Sequence, residues 1–255
     1  MAISGDYAIV GAYGADSPNA NAGAAYIFHR TDTNTWDAGI KITASDAEAY
    51  DLFGYSVAIS GDYAIVGAYQ ENGNSADAGA AYIFHRTNTN TWDTGIKITA
   101  SDAESYDWFG YSVAISGDYA IAGAYGESSM GYQSGAAYIF HRTDTNTWDT
   151  GIKITESNTE SYDWFGYSVA ISGDYAIAGA YGESSMGYQS GVAYIFHRTD
   201  INTWDVGVKI TASDAEAYDW FGYSVAISGD YAIAGAYGES SINYQAGAAY
   251  IHYGH

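Results

Sequence analysis

The sequence predicts an all-β chain: a β-propeller of four-stranded antiparallel blades. Three observations carry that prediction. The segment Ala-Ile-Ser-Gly-Asp-Tyr-Ala-Ile begins at Ala2, Ala58, Ala114, Ala170 and Ala226, an unbroken spacing of 56 residues, and a fixed period near this length marks repeat architectures. Each period alternates apolar runs with Gly-Asp and Asn-rich turn signals, and no segment shows the 3.6-residue period of a helix. Side-chain size is graded along the period, small residues first and aromatic ones later.

The elements follow in order within the second period. Phe53 to Ser60 reads as strand one, with Val57 and Ile59 on one face and Ser56 and Ala58 on the other. Gly61-Asp62 is a two-residue hairpin turn of the kind that needs positive φ. Tyr63 to Tyr69 is strand two, almost continuously apolar, as expected of a strand covered on both faces. Gly79 to Arg86 is strand three, and Thr87 to Thr91 joins it to strand four, Trp92 to Thr99. Blades crowd at a propeller's axis and splay apart at its rim. Ser56, Ala58, Ala64, Gly67 and Ala68 suit the inner wedge, while Tyr82, Phe84 and Trp92 suit the wider outer gaps.

Five full periods would need 280 residues and the chain has 255. Strand four of the last blade and the start of strand one in the first are the parts without a copy. The expectation is a single propeller domain over 1–255 that closes at five blades, the last lacking its outer strand. The other reading is a piece of a longer ring, or a protomer that borrows a strand. An uncovered third strand near Tyr250 would present unpaired backbone groups, a route to self-association.

Composition narrows the partners. Eight basic residues stand against 30 acidic ones, a net charge of −22. Nucleic-acid binding needs a basic footprint that this chain lacks, and anionic membrane surfaces repel it. No run reaches the roughly 18 apolar residues of a membrane helix. Met1 leads directly into a strand-like segment, so no secretory leader is read in front of the first repeat. Cysteine is absent, which removes disulfides and thiolate metal sites.

Phe53-Gly54-Tyr55-Ser56-Val57 followed by Val66-Gly67-Ala68-Tyr69 resembles the FG-GAP repeats of integrin α-chain propellers and bacterial surface proteins. The pattern recurs as Phe109-Gly110 with Gly123-Ala124, Phe165-Gly166 with Gly179-Ala180, and Phe221-Gly222 with Gly235-Ala236. The first copy has Gly11-Ala12 without its Phe-Gly half. The resemblance implies a propeller and an extracellular or cell-surface setting. The family's proline after Gly-Ala is tyrosine here, a change expected to alter little. Integrin-type repeats carry a calcium loop between strands one and two; here that connection is only Ser60-Gly61-Asp62, too short to wrap an ion needing six to eight oxygens. Calcium is therefore not carried over, no cofactor is expected, and the family's seven blades do not transfer either.

The loop between strands two and three shares a face with the loop entering the next blade. It also varies most between copies, and function concentrates on scaffolded loops. Trp108, Trp164 and Trp220, with Tyr132, Tyr188 and Tyr244, could stack on the apolar face of a sugar. Gln133, Gln189 and Gln245, with Glu127, Glu183 and Glu239, could bond its hydroxyls. The competing reading is that these aromatics plug gaps between blades. In the acidic loop, Asp46, Glu48 and Asp51 are the nearest approach to a calcium site, but Asp51 reads better as a backbone cap. The His-Arg pairs, such as His85-Arg86, and the lysines, such as Lys97, are expected to neutralise carboxylates at the blade rim.

No serine elbow, zinc-ligand spacing or phosphate-cradling glycine loop occurs. Near-identical blades also fail to bring together the unlike groups that acid–base catalysis needs. The expectation is a non-catalytic, lectin-like binding or adhesion module, multivalent and directed at glycans. The alternative is a protein-interaction or purely structural scaffold, natural or idealised by design. Drift such as Thr145 against Ile201 favours natural duplication.

Overall fold

The structure is a computed structural model and describes residues 1–16, 18–73, 75–240 and 246–254. Among these residues every regular element is a β-strand, and the strands form five antiparallel sheets, one per period. In the second sheet Ser56–Ser60 pairs with Tyr63–Ala68, which pairs with Ala80–Asn88, which in turn pairs with both Thr91–Trp92 and Ile96–Ile98. The first, third and fourth sheets repeat this order. The last has three strands, Phe221–Ser228, Tyr231–Ala236 and Ala248–Tyr253, and no outer strand.

Local chemistry sets each turn. Gly5, Gly61, Gly117, Gly173 and Gly229 all have φ between 53° and 58°, while the following Asp does not share the positive sign. That is the II′ pattern, whose twist matches the flanking strands.

Strand four departs from the expectation of one continuous run. It is split, and its outer half, Thr91–Trp92, pairs across an irregularity in register. Asp93 causes the break: its Oδ1 accepts N–H bonds from His85 and Gly95, both at 3.0 Å. Gly95 follows at φ 76°, its Cα against the Phe84 ring. Strand three extends to Asn88, two residues beyond Arg86, because the Thr89-Asn90 hairpin is tight. Strand one begins at Ser56, since Phe53 instead makes a parallel bridge to Gly23 of the preceding sheet.

The chain folds as two compact units. One comprises Met1–Ala122 and Phe140–Gly151, the other Gly123–Ile139 and Ile152–His255. Within the first, Tyr7, Ile9 and Ile27 of sheet one form a core with Val66, Tyr82 and Phe84 of sheet two, and Phe53 is buried between them. Within the second, Ile177 and Ile195 of sheet four form a core with Phe221, Ile227 and Ala234 of sheet five. Each fully buried large side chain contributes about 1.5–3 kcal/mol of transfer free energy. Tyr82 can be buried whole because its hydroxyl donates to Asp46 Oδ1 at 2.7 Å.

The Phe-Gly and Gly-Ala pieces meet where sheets approach most closely. Gly54 N–H donates to Gly67 O of its own sheet at 3.0 Å, while its carbonyl oxygen lies 1.8 Å from where a Cβ on Gly11 would sit. The same contact joins Gly67 to Gly110, Gly123 to Gly166 and Gly179 to Gly222.

Cations find carboxylates in two places rather than at one rim. Each arginine pairs with the Asp of the hairpin turn, as Arg86 does with Asp62. Lys97, Lys153 and Lys209 instead reach Glu71, Glu127 and Glu183 in the loops after strand two. His29, His85 and His141 stack on Tyr7, Tyr63 and Tyr119 at 4.7–4.8 Å.

Candidate functional site

The loop after strand two runs beside the loop entering the next sheet, and the two are joined main chain to main chain. Tyr162 N–H donates to Tyr132 O at 2.9 Å, Trp164 N–H to Gln133 O at 3.3 Å and Phe165 N–H to Ser134 O at 2.9 Å. Tyr218, Trp220 and Phe221 repeat these bonds onto Tyr188, Gln189 and Ser190. In the first unit, Tyr106, Trp108 and Phe109 repeat them onto Ala76, Asp77 and Ala78. The left-handed backbone this requires, φ 69° at Tyr162 and 54° at Trp164, costs about 1–3 kcal/mol per residue. The repeated bonds hold it.

The ladder brings together most of the aromatic residues singled out by sequence. Tyr132 and Tyr162 lie edge to face at 5.3 Å, and Tyr162 meets Trp164 at 6.2 Å. Trp164 stacks on Tyr181 at 4.8 Å and donates its indole N–H to Gln133 Oε1 at 3.4 Å. A second copy sets Tyr188 against Tyr218 at 5.4 Å and stacks Trp220 on Tyr237, with the Trp220 indole bonded to Gln189 Oε1 at 3.3 Å. Tyr132, Tyr162, Tyr188 and Tyr218 are exposed. The three tryptophans are half-buried. At Trp108 the neighbouring loop offers Asp77 in place of glutamine. Tyr244 and Gln245 lie outside the described residues.

The glutamates sit elsewhere. Glu127 is buried, and its Oε1 accepts from Ser129 N–H at 2.7 Å and from Lys153 Nζ at 3.0 Å. Glu183 is buried in the same way against Ser185 N–H and Lys209, and Glu239 is buried too. These carboxylates anchor the loop from beneath and leave the tyrosines as its accessible surface.

The acidic loop is likewise committed to structure. Asp51 Oδ2 accepts the Glu48 N–H at 2.6 Å, and Asp107, Asp163 and Asp219 cap Glu104, Glu160 and Glu216 in the same way. Burial, reinforced by Glu71, Glu48 and Asp46, raises the Asp51 carboxyl to about 6 against the opposing Glu48 bond. Burial also pulls Asp46 upward, but bonds from Lys97 and Tyr82 outweigh it and hold the carboxyl below its usual range. Among the described residues no three acidic or histidine side chains form a group that could hold a metal ion.

Two features escaped sequence reading. The first is a tyrosine column. Tyr69, in the position of the family's proline, meets Tyr55 at 4.6 Å and Tyr111 at 5.3 Å, and Tyr55 donates to the Tyr111 hydroxyl at 3.0 Å. Tyr181, Tyr167 and Tyr223 repeat the cluster in the second unit. The tyrosine-for-proline change, expected to alter little, therefore builds a continuous aromatic surface in each unit. Its signal was the pairing of Phe-Gly-Tyr with Gly-Ala-Tyr in every period but the first. The second feature is Glu156, buried where Ala44, Ala100 and Ala212 stand in other repeats, with neither carboxyl oxygen bonded to a donor.

Blade-like sheets joined through glycine contacts, with aromatic loops in each unit, define a repeat protein of the β-propeller class. The FG-GAP repeat model matches residues 1–28, 36–84, 92–140, 148–196 and 204–252. The chain belongs to the FG-GAP repeat family. No curated protein matches it.

Proposed function

We propose that the chain is a non-catalytic, multivalent binding and adhesion module whose ligand is a glycan. The observation that carries this reading is the repeated exposed tyrosine pair, Tyr132 with Tyr162 and Tyr188 with Tyr218, each beside a half-buried tryptophan. Aromatic faces match the C–H faces of pyranose rings, and phenolic hydroxyls bond their hydroxyls. Uncharged contact also suits a protein whose net charge repels anions. Copies of one weak site on a single rigid support raise avidity for a repetitive target. Catalysis finds no support, since the nearby carboxylates are buried as loop anchors and caps. An extracellular or cell-surface setting goes with this reading.

Exposed Met130 and Met186 beside the tyrosines favour a second reading, a protein-interaction surface, because methionine adapts to varied partners. A glycan array at two calcium concentrations separates the two. The expected result is binding to a subset of glycans, independent of calcium and abolished by combined Tyr132→Ala and Tyr188→Ala substitution. Silence across the array would defeat the glycan reading.

A further inference from the structure

One cavity is lined entirely by residues of the first unit, where the loop after strand two of the second sheet meets the end of strand four. It measures about 440 Å³, and its walls include Glu71, Gly73, Ala78, Lys97, Thr99 and Ser101. That volume is on the scale of small-molecule sites and far above the roughly 30 Å³ share of one water. Its polar wall is an ion pair. Lys97 Nζ lies 2.8 Å from Glu71 Oε1 and donates to Asp46 Oδ2 at 2.7 Å. An ammonium carries three N–H groups, so one is left over among the described residues. Glu71 is only 6% exposed, and its Oε2 is buried without a donor.

Other repeats show which chemistry completes this pair. Gly73 stands where the third and fourth repeats have Ser129 and Ser185. In the fourth, the Ser185 hydroxyl accepts from Lys209 Nζ at 2.7 Å and donates to Glu183 Oε2 at 3.0 Å. In the third, the Ser129 hydroxyl accepts from Lys153 at 3.0 Å, although Glu127 Oε2 keeps no donor. Ala78 likewise stands where Ser134 and Ser190 do. The second repeat thus lacks two hydroxyls at positions that line one cavity. The group in the Ser185 place accepts from an ammonium and donates to a carboxylate through a single oxygen. A phosphate or carboxylate cannot donate, and would face Glu71 and Asp46. An ammonium cannot accept, and would face Lys97. A neutral hydroxyl does both.

We infer that this cavity binds a neutral polyol the size of a single pyranose ring, one of whose hydroxyls bridges Lys97 and Glu71 as Ser185 bridges Lys209 and Glu183. Ala78, Ala100 and Ala103 give the cavity apolar walls for the ring's C–H groups, and Thr99 and Ser101 bring further hydroxyls to it. The site does not rest on the exposed tyrosine pairs, since the second repeat has Ala76 where the third has Tyr132.

Amide chemical-shift titrations with myo-inositol and with glucose, galactose, mannose and their methyl pyranosides test this. The expected result is saturable shifts at the Gly73 and Gly79 N–H groups, which bond Glu71 Oε1 and the Glu71 carbonyl. Gly73→Ser supplies the hydroxyl from the chain itself and should weaken binding by at least about tenfold. The converse variant, Ser185→Gly with Ser190→Ala, should gain a second site, read as new shifts at Gly191, which bonds the Glu183 carbonyl. A gain of this kind cannot come from misfolding. Methyl pyranosides binding beside the free hexoses identify the end of a glycan chain, whereas free hexoses alone identify a free sugar. The inference is overturned if no probe shifts these amides, as when water alone fills the cavity. It is also overturned if Gly73→Ser binds undiminished or the converse variant gains nothing. Tyr132→Ala and Tyr188→Ala should leave the Gly73 and Gly79 shifts intact, so failure here and failure of the tyrosine-based glycan reading are told apart.

Discussion

The carbonyl oxygen of Gly166 lies 1.8 Å from the position a Cβ on Gly123 would occupy. Two consecutive sheets therefore touch backbone to backbone, and the Phe-Gly and Gly-Ala halves of the motif are the two sides of one contact.

Gly123→Ala should accordingly destabilise the fold by about 3 kcal/mol or more, since the opposing atom is backbone and cannot swing aside. Gly235→Ala is the control. Its Cβ would meet mainly the Ser224 side chain, at 2.6 Å, which can rotate. Denaturant midpoints should fall markedly for the first and little for the second; equal losses would remove the close approach as the cause.

Burial first, and then the neighbouring Asp163 carboxyl, pushes the Glu156 carboxyl far above its ordinary 4.5. The folded chain thus holds a proton that the unfolded chain releases, so stability falls as pH rises past about 4.5. Glu156→Ala, the residue of the other repeats, should raise the thermal midpoint most at pH 8 and progressively less toward pH 4. A variant no more stable than its parent at pH 8 would contradict this.

Lys209 is the cation facing buried Glu183, at 2.9 Å. Lys209→Met leaves that carboxylate without its counter-charge and should cost about 3 kcal/mol at neutral pH. Urea titrations at neutral pH read the loss, and an unchanged midpoint would remove the ion pair as a source of stability.

Asp149 Oδ1 accepts the N–H groups of His141 and Gly151, both at 3.0 Å. Asp149→Ala strands two donors at the break in strand four, for an expected loss of about 1–3 kcal/mol. Hydrogen exchange should quicken at Gly151 before it does in strand two.

Tyr132→Ala and Tyr188→Ala remove exposed rings and should shift the thermal midpoint little, consistent with changes within about 0.5 kcal/mol at surface sites. Any loss of ligand binding in these variants then reports on the site and not on the fold. A large fall in midpoint would instead assign the tyrosines to the scaffold.

Much of the architecture was legible because an exact period leaves little freedom. Five sheets, their strand order, the Gly-Asp turns and the missing outer strand all follow from one repeated register. The Asp51 cap was legible too, from its place just before Phe53-Gly54. The break in strand four was not, because Asp93 reads as an ordinary turn residue until its carboxylate is seen holding two N–H groups. Nor was the separation of glutamate from tyrosine in one loop: Glu127 and Tyr132 are five residues apart, yet Lys153 draws the first inward while the second stays in solvent.

The sequence by itself determined the repeat, the strands and the small residues at which sheets could meet, because these depend on local periodicity and side-chain size. Only the tertiary structure decided which carboxylates are buried and which aromatics join into a surface. Those properties depend on what a neighbouring repeat places against each side chain, and near-identical periods look alike until their neighbours differ.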